Sequence, residues 1–471
     1  MQEPKLLKAL LTNIAKLETE NKLLRQKIRR QNQRISEIYV SRTSWKDKYK
    51  AEKALKVLTR NSVFGSTTKA KGYSYTTQLI SLSVGLYLLG GCSYRSVVRI
   101  LLYFNLEWGI NIAIPSKSSI SIWVEKLGYY QYAVSAEIYK CDYGLIIDEC
   151  MVIGQQRLLL ILGINATKTE NRASLLSDVR LLGIEVRASW KAEDVAKSIA
   201  KVTEKMQRQP VYVISDGAAN LKKGIADAGL IRLSDVSHKM ALILEKHYKN
   251  TPLFMAWSKD LSKAKFVGIM QAQAYLLPPK QRTIARFMNL SASIDWSKKM
   301  LLSWENLSVK EQLHFQWISN YKSFIDEIST VFDLSNQIIS ELKIKGLSHK
   351  SVENCLKLIE KFPKKVADML LPNIKAYLLE EKDKLADENT VWHTCSNVIE
   401  SVFGKYKSNL SSNPLNGVTG MVLSLALQTN KGLKFNLNNA LEQVSMAELN
   451  TWKCTHLSDN QVVKRKNTLK I

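Results

Sequence analysis

The chain of 471 residues lacks several things, and each shortage narrows what it can be. Its six cysteines (Cys92, Cys141, Cys150, Cys355, Cys395 and Cys454) form no CxxC pair and no repeating spacing. That argues against a zinc ribbon or a disulfide framework and points to a reducing cytoplasm. No apolar run reaches membrane-spanning length; the longest, LISLSVGLYLLGGCSY, ends in glycines and polar residues. The opening MQEPKLLKALLTNIAKLETEN has no apolar signal core, so neither secretion nor a membrane partner is expected. Acid is also scarce: 42 Asp+Glu face 68 Lys+Arg, a net charge of +26. Such an excess draws polyanions and binds phosphates by counterion release, so the expected partner is nucleic acid and the expected place the cytoplasmic nucleoid.

The front of the chain carries heptads. Leu7, Leu10, Ile14, Leu17, Asn21, Leu24, Ile28, Ile35 and Ile38 fall on alternating three- and four-residue steps, with Gln31 in one polar d slot. Asn21 occupies an a position, where a buried Asn favours one register, and Glu20 and Arg25 occupy g and the following e. Residues 1–58 are therefore expected to be a coiled-coil helix that pairs two copies; an amphipathic helix folded on its own body is the plainer alternative. Residues 59–140 hold three helical patterns, about 75–90, 93–105 and 116–127, the last beginning after Pro115. Three short helices suit a helix-turn-helix-like domain whose last helix, with Lys117 and Trp123, enters DNA, although plain packing explains such triplets as well.

From 141 to 250 the period changes. YGLIIDECMVIG, RLLLILGINA and VRLLGIEVRAS read as three strands, followed by a helix near 191–207, the strand PVYVISDG and another helix. The order β-β-β-α-β-α is that of an RNase H-like core, in which strands one and four pair at the centre. Asp148 and Asp216 then become neighbours, while Glu149 faces the other way. Buried carboxylates call for a cation, and oxygen donors suit hard divalent ions. Residues 251–390 read as an all-helical insertion, 391–445 as the returning core helices with Glu400, and 446–471 as a basic, mobile tail. The expected fold is thus multi-domain α+β.

Three local motifs lie on this frame: Ser215-Asp216-Gly217, Asp235-Val236-Ser237-His238, and Ser396-Asn397-Val398-Ile399-Glu400-Ser401. Their order resembles the DDE transposases with helical insertions, found in bacterial insertion sequences and in Mutator-like and hAT elements. The resemblance covers about 140–410. It implies Mg2+-dependent cleavage at element ends and strand transfer into target DNA. Two Mg2+ ions, or Mn2+ in their place, would be held by Asp148 as the bridge, Asp216 and Glu400. Asp235 and His238 would support them, orienting a phosphate or water. It also implies an insertion-domain aromatic that stacks on a flipped base, with Trp296 in ASIDWSKK as the candidate. Lys298, Lys299, Lys405 and Lys407 are candidate phosphate contacts. Glu380, Glu381 and Glu388, the rivals to Glu400, read as a solvated face, and His393 and Cys395 are too isolated for a zinc site. A nuclease that only hydrolyses, a transposase-derived DNA-binding regulator without catalysis, and a coiled-coil structural protein are the other readings.

Overall fold

Short runs of Leu, Ile and Val bounded by polar turns form five strands: β1 Tyr143–Val152, β2 Gln156–Asn165, β3 Val179–Arg187, β4 Val213–Ser215 and β5 Arg232–Ser234. The computed structural model describes residues 68–134, 141–152, 156–268, 272–280, 287, 290–409, 417–429, 436–457, 459 and 461–469, with Glu20, Asn21, Leu24, Arg25, Ile28, Gln31, Asn32 and Ile35. The strands make one mixed sheet in the order β3-β2-β1-β4-β5. β1, β2 and β3 are an antiparallel meander, whereas β4 runs parallel to both β1 and β5. Parallel neighbours need crossovers, which the helices Ala192–Met206 and Ala219–Asp227 supply. The expected element order is present, with β1 between β2 and β4. The pattern does not announce β5, whose three residues are too few to show a period of two.

Side-chain alternation gives β1 two faces. Ile146 joins Ile214, Met240, Val398 and Val402 in one apolar cluster, under the helices Val236–Tyr248 and Asn397–Ser408. Leu145 and Ile147 enter another with Val195, Ile199, Leu221 and Ile225, from the two crossover helices. Beyond residue 250 the chain is helical: Pro252–Gly268, Ser291–Leu302, Val309–Phe315, Lys322–Lys345, His349–Ile359 and Lys364–Lys382. The long helix Lys322–Lys345 buries Ile325, Ile328, Val331, Ile338 and Leu342, the stripe expected of a 3.6-residue period. The segment then returns to the sheet through Trp392, which bridges singly to Leu347 and Thr167.

The ends of the chain correct one expectation and add to another. Helices Thr77–Leu88, Tyr94–Trp108 and Lys117–Ala133 stand where three were expected, and the third is packed along one face, with Lys117 in its first turn exposed. Contacts divide the chain into residues 1–68 with 98–115, and residues 69–97 with 116–471, so the helix Lys117–Ala133 belongs to the sheet's own unit. It buries Ile120, Trp123, Val124 and Leu127. Gly128 lies so close to the Leu423 backbone that a Cβ would clash, and Glu125 pairs with Lys453. The expected mobile tail begins instead as the helix Met446–His456, capped by Ser445 and Glu448, with Leu449 and Trp452 buried. Trp452 meets Tyr129 and Tyr132 of that same third helix; aromatic contact docks what charge alone would have left in water. The helix Gln461–Leu469 follows and buries nothing.

The described positions between 20 and 35 are helical and exposed, including Leu24, Ile28 and Ile35. The other heptad positions, among them Leu7, Leu10, Ile14, Leu17 and Ile38, lie outside the described residues. No helix among the described residues is long and apolar enough to cross a membrane.

Candidate active site

Register brings the first two acids together. β1 and β4 pair Leu145 with Val213 and Ile146 with Ile214. The same offset sets Asp148 opposite Asp216, one residue past the end of β4. Both follow by two positions the residues Ile146 and Ile214, so they share the face under the helices Val236–Tyr248 and Asn397–Ser408. Asp148 Oδ1 accepts the Glu149 N–H at 2.8 Å, and Asp216 Oδ1 accepts the Ala218 N–H at 2.9 Å. Loss of solvent, then repulsion from Asp216, pushes the Asp148 carboxyl up to about 7, against the opposing pull of His238. Glu149 points away, as alternation requires, and pairs with Arg157 at 3.2 Å.

Asp235 joins the other two motifs. It caps the helix Val236–Tyr248: its Oδ1 accepts the His238 N–H at 2.8 Å and lies 2.9 Å from His238 Nδ1. Its Oδ2 accepts the Ser396 N–H at 2.6 Å and hydroxyl at 2.9 Å. The Val236 N–H donates to the Thr394 carbonyl beside them. One buried carboxylate thus ties the D-x-x-H turn to the start of the helix bearing Glu400. Burial would raise Asp235, but its bonds from His238 and Ser396 hold it below its ordinary value.

Glu400 sits in the first turn of the helix Asn397–Ser408, a favourable place for negative charge. Its Oε1 is 3.7 Å from His238 Nε2. Desolvation raises Glu400, with His238 opposing. Burial alone would lower His238; the hydrogen bond and charge of Asp235, helped by Glu400 and Asp216, outweigh it and push the imidazole up to about 9. At neutral pH the site therefore presents an imidazolium held among carboxylates. Beside it opens a cavity of about 470 Å³, lined by His238, Glu400, Asn397, Ser237, Asn336 and Phe332 among others. Among the described residues, no group of three or more His, Cys, Asp or Glu forms a ready-made metal site.

The remaining candidates sort by burial. Trp123 is 3% exposed and meets Tyr75 edge-on, so it is core and not a DNA contact. Trp296, half-buried, donates its indole N–H to the Leu276 carbonyl at 2.9 Å and lies against Trp317 and Phe315. Lys117, Lys298, Lys299, Lys405 and Lys407 are exposed, although Lys298 already reaches Ser329. Of the rivals to Glu400, Glu380 and Glu388 are exposed as expected, but Glu381 is 1% exposed and bound to Lys384 at 3.0 Å. His393 is buried against Ser174, and desolvation followed by Lys168 pushes it down to about 4. Arg232 carries no signal in the sequence as an isolated polar residue; only its contacts with Ser215 and Asp216 show its part. No protein-family model matches the chain, and no curated protein matches it.

Proposed function

We propose that this chain is a DDE-type transposase that cuts the ends of a DNA element and joins them to target DNA. The observation that carries the reading is the gathering of Asp148 on β1, Asp216 just past β4 and Glu400 on the helix Asn397–Ser408 around His238. Strand order β3-β2-β1-β4-β5 with β1 central supports an RNase H-like core. The helical residues between Tyr248 and Glu400 support an insertion within it. Net charge of +26 supports a DNA substrate.

The donor set fits a divalent ion. Asp148, Asp216 and Glu400 offer hard oxygens, which suit Mg2+ or Mn2+, and Asp148, raised first by burial and then by Asp216, is a carboxyl that a cation would keep ionised. When bound there, such ions stabilise charge on the attacking and leaving oxygens of an in-line displacement. The chain's own residues prepare the site. Asp235 orients His238 through Nδ1, leaving Nε2 toward Glu400 as a charged donor for a carboxylate or phosphate oxygen. Lys405 and Lys407, exposed past Glu400 on the same helix, suit phosphates of the DNA backbone. The exposed Leu24, Ile28 and Ile35 support pairing of two copies through residues 1–58, which would bring two element ends together.

The test uses DNA duplexes carrying the sequences that flank the gene. With Mg2+ the wild type is expected to nick the ends and join them to a second duplex, and Glu400→Ala to do neither while still binding. Cleavage without joining would favour a hydrolytic nuclease. Binding without any cleavage would favour a DNA-binding regulator.

A further inference from the structure

We infer that Arg232 is a positioning residue for Asp216, locked in place by Glu381 and Lys384 from the end of the helical block. The inference rests on Asp216 being a metal-holding carboxylate. Asp216 lies just past the last residue of β4, where the sheet no longer fixes its backbone. The Arg232 side chain replaces that restraint. Its Nη2 donates to the Asp216 carbonyl at 2.5 Å, its Nε to the Ser215 hydroxyl at 2.9 Å, and its Nη1 to the Ser234 hydroxyl at 3.3 Å. A planar fork of donors spans β4 and β5 and holds the backbone from which the Asp216 side chain departs.

The fork is itself held. β5 is an edge strand, and the outward Ser234 N–H would lack a partner in the sheet. The Glu381 carboxylate accepts it, 3.4 Å from each oxygen. Lys384 neutralises Glu381 at 3.0 Å and donates to the Arg232 carbonyl at 3.1 Å. Glu381 is 1% exposed, so a charge there is costly unless paired. The ring of contacts runs from the last turn of the helix Lys364–Lys382 through β5 to Asp216, and makes the carboxylate's position depend on how the helical block ends.

The test measures Mn2+ binding directly, by electron paramagnetic resonance of the free ion, on the full chain. It compares wild type with Arg232→Gln, Arg232→Lys, Glu381→Gln and Asp216→Asn. Outer partners of metal ligands typically change affinity about 10–100-fold. Arg232→Gln is expected to weaken Mn2+ binding within that range, Arg232→Lys to recover part of it, and Glu381→Gln to weaken it less. The Mn2+ half-saturation of DNA cleavage should shift alongside, with the rate largely restored at high Mn2+. If Arg232→Gln fails to fold, Arg232→Lys and Glu381→Gln carry the comparison. Variants that melt earlier yet bind Mn2+ like the wild type would reduce the ring to a structural brace and overturn the inference. Loss of binding in Asp216→Asn alone would sink the Arg232 role and leave the site intact. Normal binding in Asp216→Asn would overturn the metal site itself and the inference with it.

Discussion

The two faces of β1 are made by the same ten residues and do opposite things. On one face Leu145 and Ile147 are sealed by the helices Ala192–Met206 and Ala219–Asp227, and the acid that follows them, Glu149, is neutralised by Arg157 at 3.2 Å. On the other, Ile146 packs in the same way but the next inward position is Asp148, beside Asp216 and His238. The first face lowers the free energy of folding. The second gives some of that back to keep like charges close, the usual cost of a prepared site.

The contrast can be broken most forcefully at neighbouring residues. Asp148→Asn should abolish metal-dependent cleavage, a fall on the order of a thousandfold or more if several kcal/mol of transition-state stabilisation depend on it. Its resistance to urea should stay level or rise, because repulsion from Asp216 is gone. A variant that unfolds easily and still cuts would reverse the assignment of the two faces. Ile147→Ala, one residue away and fully buried, should do the opposite: a loss of about 2–5 kcal/mol in urea unfolding, with the cleavage rate per folded molecule retained.

Two histidines sharpen the same point through pH. His393 is held down to about 4, so the folded state resists a proton that the unfolded chain accepts near 6.5. Stability from this group is full above about 6.5 and falls as pH drops toward 4, by about 3 kcal/mol in all. His393→Gln should flatten that slope in denaturation curves taken across the window. His238 has the reverse sign. Its folded value near 9 gives stability that is complete below about 6.5 and is lost as pH rises through 9 in the metal-free protein. Proton NMR that found both imidazoles titrating near 6.5 would contradict the burial and charge assigned to each.

The smallest effect concerns Trp296. Trp296→Phe removes one hydrogen bond to Leu276 and should cost about 0.5–1.5 kcal/mol of stability. Affinity for element-end DNA should not change. A base stacked on this ring would instead show as a loss of about 1–3 kcal/mol in binding, measured by fluorescence anisotropy.

Legibility followed the range of the interaction. Strands β1 to β4 could be read because alternation and apolar runs are local, and the pairing of β1 with β4 followed from the order of elements, whereas their register is set only by the fold. Glu400 could be placed from its motif. Trp123 was not legible as core because an aromatic has the same local pattern whether it packs or binds, and only neighbours such as Tyr75 show that it packs. Glu381 was misread for a similar reason. Its charged surroundings in LEEKDKLADE suggest water, while β5, far off in sequence, buries it.

By itself the sequence determined the strong positive charge, the strand-and-helix order, and that Asp148 lies on a strand, Asp216 at the end of one and Glu400 in a helical segment. These depend on composition and on periods of two and 3.6 residues, which are properties of short segments. Tertiary structure alone decided that Asp235 ties His238 to Ser396, that Arg232 holds the Asp216 backbone, and that the helix Lys117–Ala133 buries Trp123. Each of these turns on hydrogen bonds or packing between distant segments, whose partners no local period can name.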